Sequence, residues 1–315
     1  MREDFETIEE FWQQSRKAQR KLRGRCGLRV PLHKEETMGR RIFSALIVIG
    51  FSLAFRISAA SSQEPFYKGK TIRIIVGFSA GGGYDTYARV IARHLSKYLP
   101  GNPTVAVENM AGAGSLISAN HVYKVAKPDG LTIGHFIGGL FLQQLLGKPG
   151  IEFDARRFEY IGVPAQDEFM IGISKASGIT SAEQLMTAKT PIKLGGVSSG
   201  SGTDDLPNVL KATIGLPVQL VSGYKGTADI RLAFSSGEIQ GLSNSWQSFR
   251  ATWRKELESG ELIVVLQETL TPHPELPRVP LAINLARTEE AKKLIRAVVQ
   301  VHGPTVRPFA LPPGT

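Results

Sequence analysis

One stretch decides the fold, and it reads Thr71-Ile72-Arg73-Ile74-Ile75-Val76-Gly77-Phe78-Ser79-Ala80-Gly81-Gly82-Gly83-Tyr84-Asp85-Thr86. Its β-branched start predicts a strand. Apolar residues at helical spacing from Ala88 to Tyr98 predict a helix after the glycines, with Asp85 or Thr86 as its N-cap. Bare loop amides beside the positive end of a helix dipole predict a binding site for an anion. The alternative is a tight turn whose glycines serve packing alone.

The composition is that of a folded protein large enough for two domains. The chain has 315 residues, of which 42% are apolar and 21% charged, and a formal net charge of +10. Beyond residue 60 there is no basic run with interleaved aromatics, so we expect no nucleic-acid partner. Cys26 is the single cysteine, and the six histidines lack metal-ligand spacing. We therefore expect no metal and no cofactor.

The first sixty residues predict export. Residues 38–60 begin with Met38-Gly39-Arg40-Arg41, continue through an apolar core and end in small residues near Ala60, in the order of a signal peptide. The core is shorter than the ~20 residues that span a bilayer. We interpret Met38 as the true start and residues 1–37 as a mis-called extension; the alternative is a signal anchor. The arginine pair leaves Sec and twin-arginine export open. A periplasmic protein is predicted.

The opening pattern recurs, which favours an α/β fold. A strand at 192–197 leads into Ser198-Ser199-Gly200-Ser201-Gly202-Thr203-Asp204-Asp205, and a helix follows at 206–214 with Pro207 in its first turn. A third loop, at 223–229, precedes a helix at 230–234. Farther upstream, Ser181 is predicted to cap a short helix. Three such junctions in two parts of one chain strengthen the anion-site hypothesis.

An esterase is the enzymatic alternative. Gly196-Val197-Ser198-Ser199-Gly200 matches the nucleophile elbow G-x-S-x-G, which would make Ser198 the nucleophile. The downstream histidines are His273 and His302, and no oxyanion loop of the HGGG type is present. A pattern this short arises easily in a sequence rich in glycine and serine.

Six segments taken in order carry a resemblance to a known family. They are 70–86, Val107-Glu108-Asn109-Met110-Ala111-Gly112-Ala113-Gly114-Ser115, Pro128-Asp129-Gly130, 198–203, Tyr224-Lys225-Gly226-Thr227-Ala228 and Leu276-Pro277-Arg278-Val279-Pro280. The chain resembles the extracytoplasmic solute receptors of tripartite tricarboxylate transporters, the Bug family. The resemblance implies an α/β, two-lobed periplasmic-binding-protein fold of type II, the Venus-flytrap architecture. Lobe one would comprise 66–162 and 279–315, and lobe two 163–278.

The resemblance also implies a function without chemistry: a monomer captures a small carboxylate and delivers it to integral-membrane transporter subunits. It implies ligand contacts from the two lobes, which are Phe78, Ser79, Ala80, Gly81 and Asp85 in lobe one and Ser199, Gly200, Ser201, Thr203, Tyr224 and Lys225 in lobe two. Asn244 stands where the family often has an acidic residue, and Asp204-Asp205 where it tends to have a histidine. Two added carboxylates would disfavour a highly charged tricarboxylate unless they face away.

The end of the sequence departs from the family pattern. Residues 309–315 resemble the link into further helices that complete lobe one in family members. Either the chain is truncated, or we expect lobe one to leave apolar surface uncovered. A non-binding remnant is thus the third hypothesis, beside the receptor and the esterase.

Overall fold

A computed structural model describes residues 64–315, and 65–315 form a compact unit. The interpretations of residues 1–37 and of the signal peptide at 38–60 lie outside the described residues. Among the residues described, no helix combines the length and the apolar character needed to cross a membrane.

The described chain alternates strands and helices. The strands are β1 Thr71–Val76, β2 Thr104–Asn109, β3 Thr132–His135, β4 Glu159–Gly162, β5 Phe169–Ser174, β6 Ile192–Gly195, β7 Val218–Val221, β8 Gly241–Ser245, β9 Leu262–Glu268 and β10 Phe309–Leu311. The α-helices are α1 Gly83–Leu95, α2 Leu116–Lys124, α3 Gly139–Leu145, α4 Ala182–Met186, α5 Gly202–Ile214, α6 Thr227–Ser235, α7 Trp246–Thr252, α8 Arg254–Glu258 and α9 Glu289–His302. Short 3₁₀ turns occupy Ser96–Tyr98, Ala113–Ser115, Ala155–Arg157, Lys175–Ser177 and Ala282–Leu285.

Two five-stranded sheets share one topology. Sheet one has the order β2-β1-β3-β10-β4, and sheet two has the order β7-β6-β8-β5-β9. In each, the first three strands are parallel and the fourth is antiparallel to both neighbours. That fourth strand arrives from the other sheet, since β5 follows β4 and β10 follows α9. The chain therefore crosses between the sheets twice. The predicted two-lobed α/β architecture is confirmed.

The core extends across both lobes. In sheet one the strand predicted from the opening stretch buries Ile72, Ile74, Ile75 and Val76. Lobe two has its own core, and a further cluster joins Ile75 and Phe78 of lobe one to residues of lobe two such as Trp253. Because apolar side chains of both lobes share this cluster, the lobes lie in direct contact.

The second crossing lies later than the sequence-based division places it. Leu281, Ile283, Ala291 and Ile295 pack in the core of sheet two, although the division assigns 279–315 to lobe one. Only β10 returns to sheet one. We therefore propose to move the boundary from residue 279 to about residue 303, because the amphipathic helix α9 buries its apolar face against lobe two.

Two local predictions need correction, and one is confirmed. The N-cap of α1 is Gly82, which makes no side-chain capping hydrogen bond. Asp85, one of the two predicted N-caps, lies inside the first turn of the helix. Helix α5 begins at Gly202, four residues before the predicted start at residue 206. Pro207 therefore lies in the interior of the helix rather than in its first turn. The segment that resembles a link into further helices begins with β10, an inner strand of sheet one. Ser181 does cap α4, and accepts a hydrogen bond from the backbone N–H of Gln184.

The far edge of sheet one carries exposed apolar side chains. On β4, Tyr160 and Ile161 are 45% and 44% exposed. Because adjacent strand residues point to opposite faces, apolar surface is uncovered on both faces of this edge. Leu145 and Leu146, at the end of α3, are also exposed.

Candidate functional site

A cavity of about 40 Å³ lies where the loops that follow β1 and β6 meet. Its walls come from both lobes and both crossings: Phe78, Gly82, Gly83, Tyr84, Ile137, Asp167, Phe169, Val197, Ser201, Gly202, Thr203, Thr227, Asn244, Ser248, Val306 and Arg307. This is the place between two glycine-containing loops to which the sequence assigns a ligand.

Helices from different lobes begin at this cavity. α1 starts at Gly83 and α5 at Gly202; each runs for 13 residues, and both starting residues line the cavity. α6 starts beside them at Thr227, whose hydroxyl accepts the backbone N–H of Gly83 at 3.3 Å. A helix N-terminus carries roughly half a positive charge. The convergent helix ends therefore favour a small anion.

Hydrogen bonds join the lobes across the cleft. The backbone N–H of Ser79 donates to the carbonyl of Lys225 at 3.0 Å, and the Ser79 hydroxyl donates to Asp229 at 2.8 Å. Farther along the cleft, the Gln143 side chain on α3 donates to the carbonyl of Ser199. The structure thus shows a closed arrangement of the lobes.

Several predicted ligand residues meet in this region. Phe78, Ser201 and Thr203 line the cavity already described. Phe78 also lines a second cavity of about 130 Å³, together with Tyr224 and Lys225. Their role as ligand contacts remains a prediction.

Other predicted residues lie outside both cavity walls. Ala80 and Gly81 are exposed at the tip of the first loop, Ser199 is exposed, and Gly200 is buried. Gly200 donates its N–H to the carboxylate of Asp205 at 3.0 Å. The structure therefore does not bring these four residues together around the 40 Å³ cavity.

Asp85 shapes the first loop. Its buried carboxylate accepts hydrogen bonds from the Gly81 N–H, the Arg89 side chain and the Asn109 amide. Burial by itself raises the pKa of Asp85, but these hydrogen bonds outweigh it and the pKa is lowered. Because three donors already occupy the carboxylate, we assign it a positioning role.

The second loop is organised around Asp204. Its Oδ2 accepts hydrogen bonds from the Val197 N–H at 2.6 Å, the Ser201 hydroxyl at 2.9 Å and the Thr203 hydroxyl at 2.8 Å. These two hydroxyls were predicted to contact the ligand. Both lie within hydrogen-bond distance of Asp204 and of each other, and the Ser201 hydroxyl also lies 2.8 Å from the Ser198 carbonyl oxygen.

The second added carboxylate, Asp205, is also held within the protein. It accepts the Gly200 N–H and lies 3.1 Å from Nε2 of His302. Neither Asp204 nor Asp205 lines either cavity. From the sequence, these two carboxylates are expected to disfavour a highly charged ligand. Because both groups lie outside the two cavity walls, their repulsion of such a ligand is reduced.

Sequence reasoning missed three residues of the cavity wall as ligand contacts. Arg307, from the second crossing, donates Nε–H to both carboxylate oxygens of Asp167, from the first, at 2.9 and 2.8 Å. The guanidinium lies over Tyr84, 4.5 Å from the ring centroid. Asn244 on β8 completes the set; the sequence noted it only as a departure from the family. An isolated arginine far from any glycine loop matches no motif, so only the fold reveals it.

Burial controls protonation around Arg307. Burial lowers the pKa of His135 to about 3, although the hydrogen bond to the Pro308 carbonyl raises it, and the Arg307 charge adds a smaller lowering. The imidazole is therefore neutral. Burial also raises the pKa of the Tyr84 phenol, against the opposing effect of Arg307. Neither group exchanges a proton near neutral pH, which fits binding better than acid–base chemistry.

The geometry does not support the esterase hypothesis. Within the described range, the Ser198 hydroxyl donates to the Ser199 carbonyl at 3.3 Å. Neither candidate base is hydrogen-bonded to that hydroxyl: His302 is bonded to Asp205, and His273 lies 3.3 Å from Glu168. Likewise, no group of three or more His, Cys, Asp or Glu side chains among residues 64–315 is placed to hold a metal ion.

We predict that Gly139→Ala will prevent the closed arrangement. Gly139 begins α3 of lobe one, and a methyl group there would overlap the backbone oxygen of Gly200 in lobe two. A carboxylate that binds the wild type should bind the variant at least tenfold more weakly, about 1.4 kcal/mol by titration calorimetry. Leu145→Ala, at an 84% exposed position of the same helix, is the control. Unchanged affinity in Gly139→Ala would show that binding does not use this closure.

Sequence comparisons agree with the geometry. The family profile named TctC, tripartite tricarboxylate transporter family receptor, matches residues 87–296. A UPF0065 protein from the tcbD-tcbE intergenic region of Pseudomonas sp. strain P51 is 28% identical over 251 residues, which are 74% of this chain and 69% of the relative. Protein BugT of Bordetella pertussis is 42% identical over 88 residues, 28% of this chain and 26% of BugT.

Solved structures with the same fold include three similar proteins. The periplasmic binding protein BugD superposes with a TM-score of 0.62 at 22% identity, over 79% of this chain and 78% of BugD. Rpa4515 of R. palustris, solved with adipate, superposes with a TM-score of 0.61 at 19% identity, over 76% of this chain and 89% of Rpa4515. MatC of Rhodopseudomonas palustris, with bound malate, superposes with a TM-score of 0.61 at 20% identity, over 77% of this chain and 78% of MatC. At these identities the likeness establishes the fold.

Proposed function

The chain belongs to the tripartite tricarboxylate transporter receptor family, and from that premise we propose that it captures a small carboxylate between its lobes. One observation carries the proposal: the first residues of α1 and α5, which come from different lobes, line a single cavity. Helix N-termini that converge in this way stabilise a negative charge. The adipate and malate bound by the structurally similar proteins belong to the same ligand class.

The further parts of the proposal concern partners and location. We propose that the receptor acts as a periplasmic monomer, exported by the signal peptide that begins near Met38, and delivers its ligand to the membrane subunits of a transporter. No chemical step is included. The neutral His135 and the Ser198 hydroxyl, bonded to its own loop, support binding rather than turnover.

The experiment is a thermal-shift screen of the full chain against mono-, di- and tricarboxylates of two to six carbons. A ligand at a hundredfold excess over its Kd should stabilise the fold by about 2.7 kcal/mol. For a folded unit of this size that corresponds to a rise in Tm of roughly 5–10 °C. The matched amides, such as succinamide beside succinate, should give no shift, because they lack the charge. A folded protein whose Tm responds to none of the acids would exclude the receptor function.

A further inference from the structure

Two hydrogen-bond donors in the wall of the 40 Å³ cavity have no partner among residues 64–315. They are Nη1 of Arg307 and Nδ2 of Asn244, and both residues line that cavity. Arg307 is 2% exposed and Asn244 is 3% exposed, so bulk solvent does not serve these donors. A buried donor left without a partner costs about 1–3 kcal/mol, and more if it is charged. Two such donors on residues of one cavity wall therefore favour the binding of a hydrogen-bond acceptor there.

The rest of the guanidinium is fully engaged, which leaves one nitrogen for an added group. Nε donates to Asp167, and Nη2 donates to the hydroxyls of Ser245 at 3.1 Å and Ser248 at 2.9 Å. The face of the group lies against the rings of Tyr84 and Tyr87. The side chain is therefore held in one orientation, with Nη1 as its unused donor.

The charge around this donor suits an anion. Asp167 lines the same cavity, but its two oxygens already accept the Nε–H of Arg307. Arg307 and Asp167 together are neutral, and the N-termini of α1 and α5 add partial positive charge beside them. The residues that line this cavity thus carry two unpartnered N–H donors and include the first residues of two helices.

The size of the cavity limits what reaches these donors. A volume of about 40 Å³ holds about three waters at ~10–15 Å³ each. That is comparable to one carboxylate group and too small for a whole dicarboxylate. The 130 Å³ cavity shares the walls formed by Phe78 and Val197, and offers the nearest room for the rest of such a molecule.

We propose that Arg307 and Asn244 form the anchor for one carboxylate of the ligand, each donating one hydrogen bond to it. The remainder of the acid extends past Phe78 and Val197 towards the second cavity. This inference rests on the proposed function and names the side chains that select a carboxylate there. It differs from the contacts predicted from the sequence, which come from the loops that follow β1, β6 and β7.

The test uses Arg307→Lys and Asn244→Ala in the full chain. Lysine retains the charge opposite Asp167 but has one nitrogen in place of three, so an ammonium paired with Asp167 leaves no donor at the position of Nη1. Hydrogen bonds to charged groups contribute about 1.5–3 kcal/mol. By calorimetry, we therefore expect each variant to bind acetate, succinate, malate and adipate about tenfold to a hundredfold more weakly than wild type, for every acid that the wild type binds. Arg73→Lys, in the exposed pair with Glu108, is the matched control and should bind as wild type does.

The outcomes separate this inference from the proposed function. If the wild type binds an acid and both variants bind it equally well, the anchor is excluded while the receptor function stands. If the wild type binds none of the four acids and none in the wider thermal-shift panel, the receptor function fails and the anchor fails with it. Should Arg307→Lys not fold, Asn244→Ala decides alone, since Asn244 takes no part in the pair with Asp167.

Discussion

Replacement of Asp167 by alanine is expected to lower the free energy of unfolding by about 3–5 kcal/mol. The side chains of Arg307 and Asp167 are only 2% and 1% exposed, and Nε and Oδ2 lie 2.8 Å apart. Without the carboxylate, the guanidinium would be buried without a counter-charge. Burial alone lowers the pKa of Arg307, but the Asp167 charge and hydrogen bond outweigh it and raise the pKa above the ordinary value. The variant loses these opposing effects of Asp167, but a guanidinium stays protonated in proteins, so its charge remains buried.

Urea denaturation of Asp167→Ala measures this loss, and Glu108→Ala provides the comparison. Glu108 forms a two-bond pair with Arg73, but both side chains are 44% exposed. Loss of an exposed pair should cost at most ~1 kcal/mol. Equal losses in the two variants would contradict the buried character of the Arg307 pair. The double replacement Asp167→Leu/Arg307→Met should restore much of the stability, because no buried charge remains.

The same replacement should weaken the connection between the lobes. Asp167 and Arg307 lie on the two crossings, and the backbone N–H of Asp167 also donates to the Gly303 carbonyl at 3.2 Å. The pair thus joins the two chain segments about which the lobes would open. We expect hydrogen exchange of the crossing segments to increase in Asp167→Ala, while the central strands of each sheet remain protected.

The second large effect concerns pH. We expect the free energy of unfolding of the wild type to fall as the pH rises, and we expect Glu268→Gln to remove this fall. Glu268 is fully buried on β9, and burial raises its pKa to about 8, against a smaller lowering by the Ser243 hydrogen bond. Below about pH 4.5 the folded and unfolded states are both protonated. Between pH 4.5 and 8 the folded state keeps a proton that the unfolded state has lost, so stability falls as pH rises. At 1.36 kcal/mol per pKa unit, the total is on the order of 5 kcal/mol.

Denaturation curves at pH 4.5, 6 and 8 test this dependence. Glutamine keeps the shape of the side chain and cannot ionise, so Glu268→Gln should be more stable than wild type at pH 8 and similar to it at pH 4.5. Glu261→Gln, an exposed position immediately before β9, makes the same substitution without burial and should follow the wild-type curve. A variant of Glu268 that keeps the wild-type pH dependence would show that this carboxyl group does not cause it.

Local sequence signals predicted much of the fold. Ser181 caps α4 as expected, and Gly215 ends α5 in a left-handed conformation, where glycine is favoured. The position of Asp85 shows the limit of such signals. An aspartate near a helix start is a good N-cap by type, but its contacts with Arg89 and Asn109 place it within the first turn. The second of these contacts joins residues 24 positions apart, which local pattern does not encode.

Local sequence also predicted loops whose residues line the 40 Å³ cavity. Phe78, Ser201 and Thr203 line the cavity because the loops that carry them are set by the strand and helix on either side. The hydroxyl groups of Ser201 and Thr203 also lie within hydrogen-bond distance of Asp204 and of each other, and their role as ligand contacts stays a prediction. Which way a hydroxyl donates depends on its nearest acceptor, and that acceptor is fixed only when the loop folds.

The sequence by itself determined two lobes of one design, because strand, glycine loop and helix are each specified by neighbouring residues. Only the tertiary structure decided which charges meet in the cleft. Asp167 and Arg307 are 140 positions apart, and Asn244 lies on a strand between them in the sequence. They converge because the chain crosses twice between the sheets and each crossing delivers one member of the ion pair. The energy of that pair depends on burial, which a sequence pattern does not fix.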